Sequence, residues 1–128
     1  MRLLLDTYIW LWSLGEPVRL RARVRRELRD RTNELWLSPV STWEALLLNA
    51  KGKIRLPANL SEWLTAATAP LREAPLTHEI VLIAQQLPLP QRDPADRFLA
   101  ATAQVMDLTL VTADDNLLRL GTIRTMKN

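Results

Sequence analysis

The chain has 128 residues, no cysteine and a single histidine, which excludes disulfides, thiol nucleophiles and cysteine-bearing metal centres and leaves carboxylates to carry any chemistry. An apolar fraction of 48% and a mean hydropathy of −0.07 fit one compact domain over residues 1–128 and exclude both a disordered chain and a membrane protein. The formal net charge is +3, so a polyanion is an expected partner.

In chain order, Leu3-Leu4-Leu5 is cut by Asp6 after three apolar residues, so it reads as a buried strand, Arg2–Asp6, and not as a signal peptide. No apolar run reaches the roughly 18–20 residues that span a bilayer; no membrane association is expected, and the cytoplasm is the expected location. Arginine is concentrated between Arg19 and Arg31. There Leu20, Val24 and Leu28 recur every four residues as the buried stripe of a helix, with Arg21, Arg25 and Arg29 in a parallel row. That row fits a solvated face and a phosphate- or partner-contacting face equally well. Glu34–Ser38 is the second expected strand. In the helix over 41–51, Ser41-Thr42-Trp43-Glu44 matches a capping box, in which Glu44 would bond back to the Ser41 backbone. Gly52 ends that helix. Ser61 is the expected cap of a helix over 62–69 stopped by Pro70, and Arg72–Leu76 is the third strand.

Thr77 caps a helix that opens at His78, which makes His78 a surface residue rather than a catalytic base. After the rigid Pro88-Leu89-Pro90 loop, Asp93 caps and Pro94 opens a helix over 94–106 that turns Phe98, Ala101 and Val105 to the core. Thr109–Thr112 and Ile123–Met126 are the last strands, and Asp114 and Asp115 open a helix between them. The tryptophans at 10, 12, 36, 43 and 63 fall mostly within apolar stripes and read as core, with Trp10 or Trp12 the candidates for a base-stacking platform.

This rhythm of strand and helix predicts an α/β fold with a mainly parallel sheet of about five strands and helices on both faces. Leu3–Leu5, Leu35–Leu37 and Leu108–Val111 carry the apolar runs of its central strands. Asp6 ends a central strand, where an isolated carboxylate is costly unless a cation or donors meet it. Asp96 in a first helical turn, Asp114 at a helix start and Glu44 in a capping box each have a structural explanation of their own. Their convergence on the carboxyl edge of one sheet does not, and carboxylates so gathered repel unless a cation joins them. Magnesium takes oxygen ligands and keeps several waters. It would polarise a phosphodiester and activate a water, alone or as a pair of ions.

Leu3–Trp12, Leu35–Ser38 followed by Ser41–Glu44, Arg92-Asp93-Pro94-Ala95-Asp96-Arg97 and Leu110–Asp114 resemble the PIN-domain family, and in particular its VapC-type toxins. Gly52–Pro57 is similar to that family's loop after the second-strand helix. The resemblance implies a PIN-like parallel sheet, an endoribonuclease dependent on magnesium, with manganese as a substitute, and an RNA substrate. Asp6, Glu44, Asp96 and Asp114 would be its catalytic and metal-binding residues, with Thr7 and Thr112 as polar support. It further implies a homodimer and a small cognate antitoxin whose tail crosses the acidic pocket. Ala95 stands where the family usually has an aromatic residue.

Other readings stay open: a PIN nuclease of RNA maturation outside any toxin pair, a DNA-cleaving enzyme, or a non-catalytic RNA-binding or interaction module. A phosphoacceptor receiver domain would need a lysine ending a late strand. Lys51, Lys53 and Lys127 do not fall at such a place in the expected strands.

Overall fold

The computed structural model describes residues 1–90 and 93–128; Arg92, which opens the Arg92–Arg97 motif, lies outside the described residues. The elements are β1 (Arg2–Leu5), α1 (Thr7–Gly15), a 3-10 turn (Pro17–Arg19), α2 (Ala22–Arg29), β2 (Glu34–Leu37), α3 (Pro39–Ala50) and α4 (Leu60–Thr68). They continue with β3 (Arg72–Glu73), α5 (His78–Gln86), α6 (Pro94–Met106), β4 (Thr109–Thr112), α7 (Asp115–Leu118) and β5 (Arg124–Lys127). The strands form one five-stranded sheet in the order β3-β2-β1-β4-β5, every pair parallel.

β1 is central because it has no polar side to turn to water. Leu3 and Leu5 join Ile9, Trp10, Val24 and Ala67 under α1, α2 and α4 on one face, whereas Leu4 joins Ile80, Leu99 and Leu110 under α5 and α6 on the other. Burying each such leucine contributes about 1.5–3 kcal/mol. The chain winds outward from β1 through β2 to β3, then returns to β4 on the other side of β1. The connection therefore reverses between β1 and β4, and the crevice beyond their carboxyl ends is where open α/β sheets bind ligands.

Several local expectations shift. α3 begins two residues before Ser41, with Pro39 in its first turn and the Ser38 hydroxyl accepting from the Val40 N–H at 3.1 Å. Ser41 is thus inside the helix, and the capping-box reading of Glu44 falls. Proline pre-set for the first helical position outweighed the Ser41–Glu44 pattern. Asn59, not Ser61, caps α4. β3 is shorter than expected because Pro75 has no N–H to donate, although the Ala74 N–H still reaches Leu37 O at 2.9 Å.

β5 runs one residue later than expected and ends on Lys127, so a lysine does end a late strand. The receiver reading nevertheless fails, because that fold orders its strands 2-1-3-4-5. Leu20 and Val24 are buried and Leu28 packs on the same core, as the stripe requires. Arg25 is not a free charge, since its guanidinium donates to Leu20 O at 2.9 Å. Phe98 and Val105 pack against the core as expected, and Ala101 is fully buried. His78 is an exposed helix-start residue behind its Thr77 cap. Trp10 is buried, its Nε1–H donating to Ala67 O at 3.2 Å, so it offers no stacking face; Trp43, read as core, is 57% exposed. No helix among the described residues is long and apolar enough to cross a membrane.

Candidate active site

The crevice at the strand reversal is a cleft of about 370 Å³ lined by Asp6, Thr7, Glu44, Asp93, Asp96 and Asp114, among others. Four elements bring these acids together. The β1–β4 ladder extends one step through the Asp6 N–H, which donates to Val111 O at 3.0 Å. Asp6 thereby stands beside Thr112 at the head of α1, where its Oδ1 accepts the Thr7 N–H at 2.7 Å. The buried Thr112 hydroxyl donates to Asp6 Oδ2 at 2.6 Å and accepts the Asp114 N–H at 3.1 Å. One hydroxyl thus fixes both acids at the carboxyl edge. Asp114 also caps α7, its Oδ1 accepting the Asn116 N–H at 2.8 Å.

Glu44 enters from the second turn of α3. Its carboxylate is hydrogen-bonded to the Thr7 hydroxyl, which also lies 2.9 Å from Ser41 Oγ. Thr7 and Ser41 are buried, so this trio ties α1 to α3 and aims Glu44 into the cleft. Asp96 projects from the first turn of α6. That turn is set by the Asp93 cap on the Ala95 N–H at 3.0 Å. The Arg97 guanidinium also anchors it, donating to the carbonyls of Ala84, Leu87 and Leu89 at 2.9–3.1 Å. Ala95 is 2% exposed, so its small side chain is packed tightly at the start of the helix.

The electrostatics carry the cost of this gathering. Burial and the neighbouring acids Asp6, Asp93, Asp114 and Glu44 push the Asp96 carboxyl up to about 7. Burial also raises Glu44 and Asp6, partly offset by the Thr7 and Thr112 hydroxyl bonds. Metal-free, the cleft therefore holds carboxylates that ionise reluctantly, which is the condition a divalent cation relieves.

The donor set is all oxygen, as magnesium requires. Among the described residues, no three acidic or histidine side chains already stand in a closed metal-binding cluster. Magnesium binds through a few carboxylates and keeps several of its waters. The residues present thus fit hydrated magnesium.

The structure brings Asp6, Glu44, Asp96 and Asp114 to one cleft. It adds Asp93, whose sequence context shows only a helix cap, and Ser41, whose sequence context fits the cap of α3. The doubled acids of Asp93-Pro94-Ala95-Asp96 were the available signal for Asp93. For Ser41 there was none, because its role depends on the packing of α1 against α3.

The chain belongs to the PIN-domain family, whose model matches residues 3–123. Its likeness to VapC-type members extends over nearly the whole chain. It is 30% identical over 115 residues to Ribonuclease VapC22 of Mycobacterium tuberculosis, covering 89% of this chain and 88% of that protein. A chain of the VapBC2 structure from Rickettsia felis, bound to a DNA fragment from their promoter, superposes with a TM-score of 0.73 at 17% identity, covering 99% of this chain and 98% of that one. A chain of FitAcB from Neisseria gonorrhoeae gives 0.68 at 22% identity over 98% and 96%. At those identities the two structures speak for the fold.

Proposed function

We propose that this chain is a magnesium-dependent endoribonuclease, with manganese as a substitute ion, acting in the cytoplasm as the toxin of a toxin–antitoxin pair. The observation that carries the reading is the cleft of five acids at the strand reversal of a PIN fold, in a chain 30% identical to a named ribonuclease. Asp6, Glu44, Asp96 and Asp114 are the residues that would hold the ion. When bound, it supplies Lewis-acid activation of a phosphodiester and of a water. Thr112 keeps Asp6 and Asp114 in register, Thr7 and Ser41 orient Glu44, and Arg97 fixes the helix turn that presents Asp96. The solved neighbours named VapBC and FitAcB support a small antitoxin as protein partner, and a homodimer is the expected assembly.

The test is cleavage of single-stranded RNA with magnesium or EDTA, by the wild type and by Asp6→Asn. Cleavage in magnesium alone, abolished by the substitution, is expected. Equal cleavage by both proteins, or cleavage that persists in EDTA, refutes the site.

A further inference from the structure

A second groove, of about 570 Å³, runs along α1 beside the acid cleft. Tyr8 and Trp12 line both, so the two lie side by side across these rings. Asp6 stands at the head of α1, and Tyr8 and Trp12 follow one turn apart, about 6 Å along the axis. Their rings are tilted against each other with centroids 5.6 Å apart, and the Arg19 guanidinium lies over Trp12 at 5.1 Å. Tyr8 is 46% exposed.

The opposite wall is the loop 52–57. Gly52, at φ 73°, takes the left-handed turn that glycine tolerates. The Lys53 N–H returns to Leu48 O at 2.9 Å and the Gly52 N–H to Asn49 O at 3.1 Å, a Schellman closure of α3. Asn49 Oδ1 then accepts the Leu56 N–H at 2.9 Å. This built loop sets Lys53 and Arg55 against the groove, exposed and without a side-chain hydrogen bond or ion pair among the described residues. Among the described residues Glu16 is the groove's one acid, and it is already paired with Arg19 at 3.5 Å.

We propose that this groove is the subsite for the single-stranded RNA adjoining the scissile phosphate. Its bases stack on Tyr8 and Trp12, and its phosphates meet Lys53 and Arg55. The inference rests on the nuclease reading of the acid cleft and names where its substrate lies. Charge and the adjoining acid cleft select RNA as occupant: the aromatic faces of Tyr8 and Trp12 beside the unpaired Lys53 and Arg55 suit a polyanion that carries bases. The groove also carries Leu11, Leu14, Ile54 and Leu56, so an apolar protein segment is the competing occupant; a second apolar surface lies around the exposed Trp43 with Leu46 and Leu64. The α2 arginines border neither the cleft nor, apart from Arg19 ahead of the helix, the groove.

The experiment measures fluorescence anisotropy of a labelled single-stranded RNA of about eight nucleotides, in EDTA so that binding is read without turnover. Wild type is compared with Tyr8→Ala, with the pair Lys53→Gln and Arg55→Gln, and with a control pair Arg26→Gln and Arg29→Gln on α2. Tyr8→Ala should weaken binding about five-fold or more. Loss of two phosphate contacts should weaken it and flatten the slope of log affinity against log salt by about 1.4. The α2 pair should leave the affinity near wild type. Unchanged affinity in the groove variants overturns the proposal and leaves the groove to a protein segment. An equal loss in the α2 pair overturns it in favour of diffuse electrostatic binding. Magnesium-dependent cleavage by wild type, run in parallel, separates the two readings. Cleavage with groove-independent binding sinks the subsite alone, whereas groove-dependent binding without cleavage sinks the nuclease reading and the subsite's role with it.

Discussion

Replacing Asp96 by asparagine should stabilise the metal-free protein while weakening its response to magnesium. The carboxyl is pushed from an ordinary 3.8 to about 7, a gap of roughly three pH units, or about 4 kcal/mol if taken at face value. Asp96 is only half-buried, and solvent screening reduces this to about 1–2 kcal/mol. Loss of the favourable helix-dipole interaction in the first turn of α6 subtracts about 0.3–1 kcal/mol, so a net gain of about 1 kcal/mol remains.

The sign follows from linkage: below pH 4 the group is protonated in both folded and unfolded chains and costs nothing. Between pH 4 and 7 only the folded state keeps its proton, so wild-type stability falls as pH rises. Above pH 7 the full penalty applies. In EDTA at pH 8, Asp96→Asn should therefore melt about 3–5 °C above wild type, and near pH 4 the two should coincide. Saturating magnesium should raise the wild type more than the variant. Thermal melts followed by circular dichroism at the two pH values decide it. A variant no more stable than wild type at pH 8, or one stabilised equally by magnesium, would show that the cleft does not concentrate charge as the geometry requires.

Other outcomes follow from the same contacts. Magnesium or manganese at a hundred-fold excess over its dissociation constant should stabilise the wild type by about 2.7 kcal/mol, read as a rise in melting temperature that calcium matches without supporting comparable cleavage. Asp93→Ser should keep the α6 cap, leaving stability within about 0.5 kcal/mol, yet weaken metal binding; unchanged metal affinity, measured calorimetrically, would confine Asp93 to capping. Thr112→Val removes the hydroxyl shared by Asp6 and Asp114 and should cost about 1–3 kcal/mol in stability, together with most RNA cleavage. A variant as stable and as active as wild type would refute the bridging role. Thr7→Val should release Glu44 and lower activity more than Val40→Ala, a buried truncation that removes no hydrogen-bonding side-chain group; equal losses would make Thr7 a packing residue only.

The parts of this protein legible from sequence are those decided by short-range chemistry. Leu3-Leu4-Leu5 closed by Asp6 could only be a strand buried on both faces with a carboxylate at its end. Asp93-Pro94 could only open a helix, and both hold in the structure. The alternation of strand and helix likewise specified a parallel sheet, because parallel strands need crossovers. Tertiary structure alone decided whatever depended on which element lies against which. Pro39 moved the start of α3 and, with it, Ser41 from cap to core. For Glu44 the sequence offered both a capping box and a site acid, and the contact of α1 with α3 decided between them by setting its carboxylate on Thr7. The bond from Thr112 to Asp6, which joins Asp6 to Asp114, spans 106 residues of sequence, and the exposure of Trp43 against the burial of Trp10 was likewise set by neighbours distant in the chain. Local pattern encodes propensity, whereas burial and the meeting of charges are properties of surfaces that exist only once the sheet has closed its two cores.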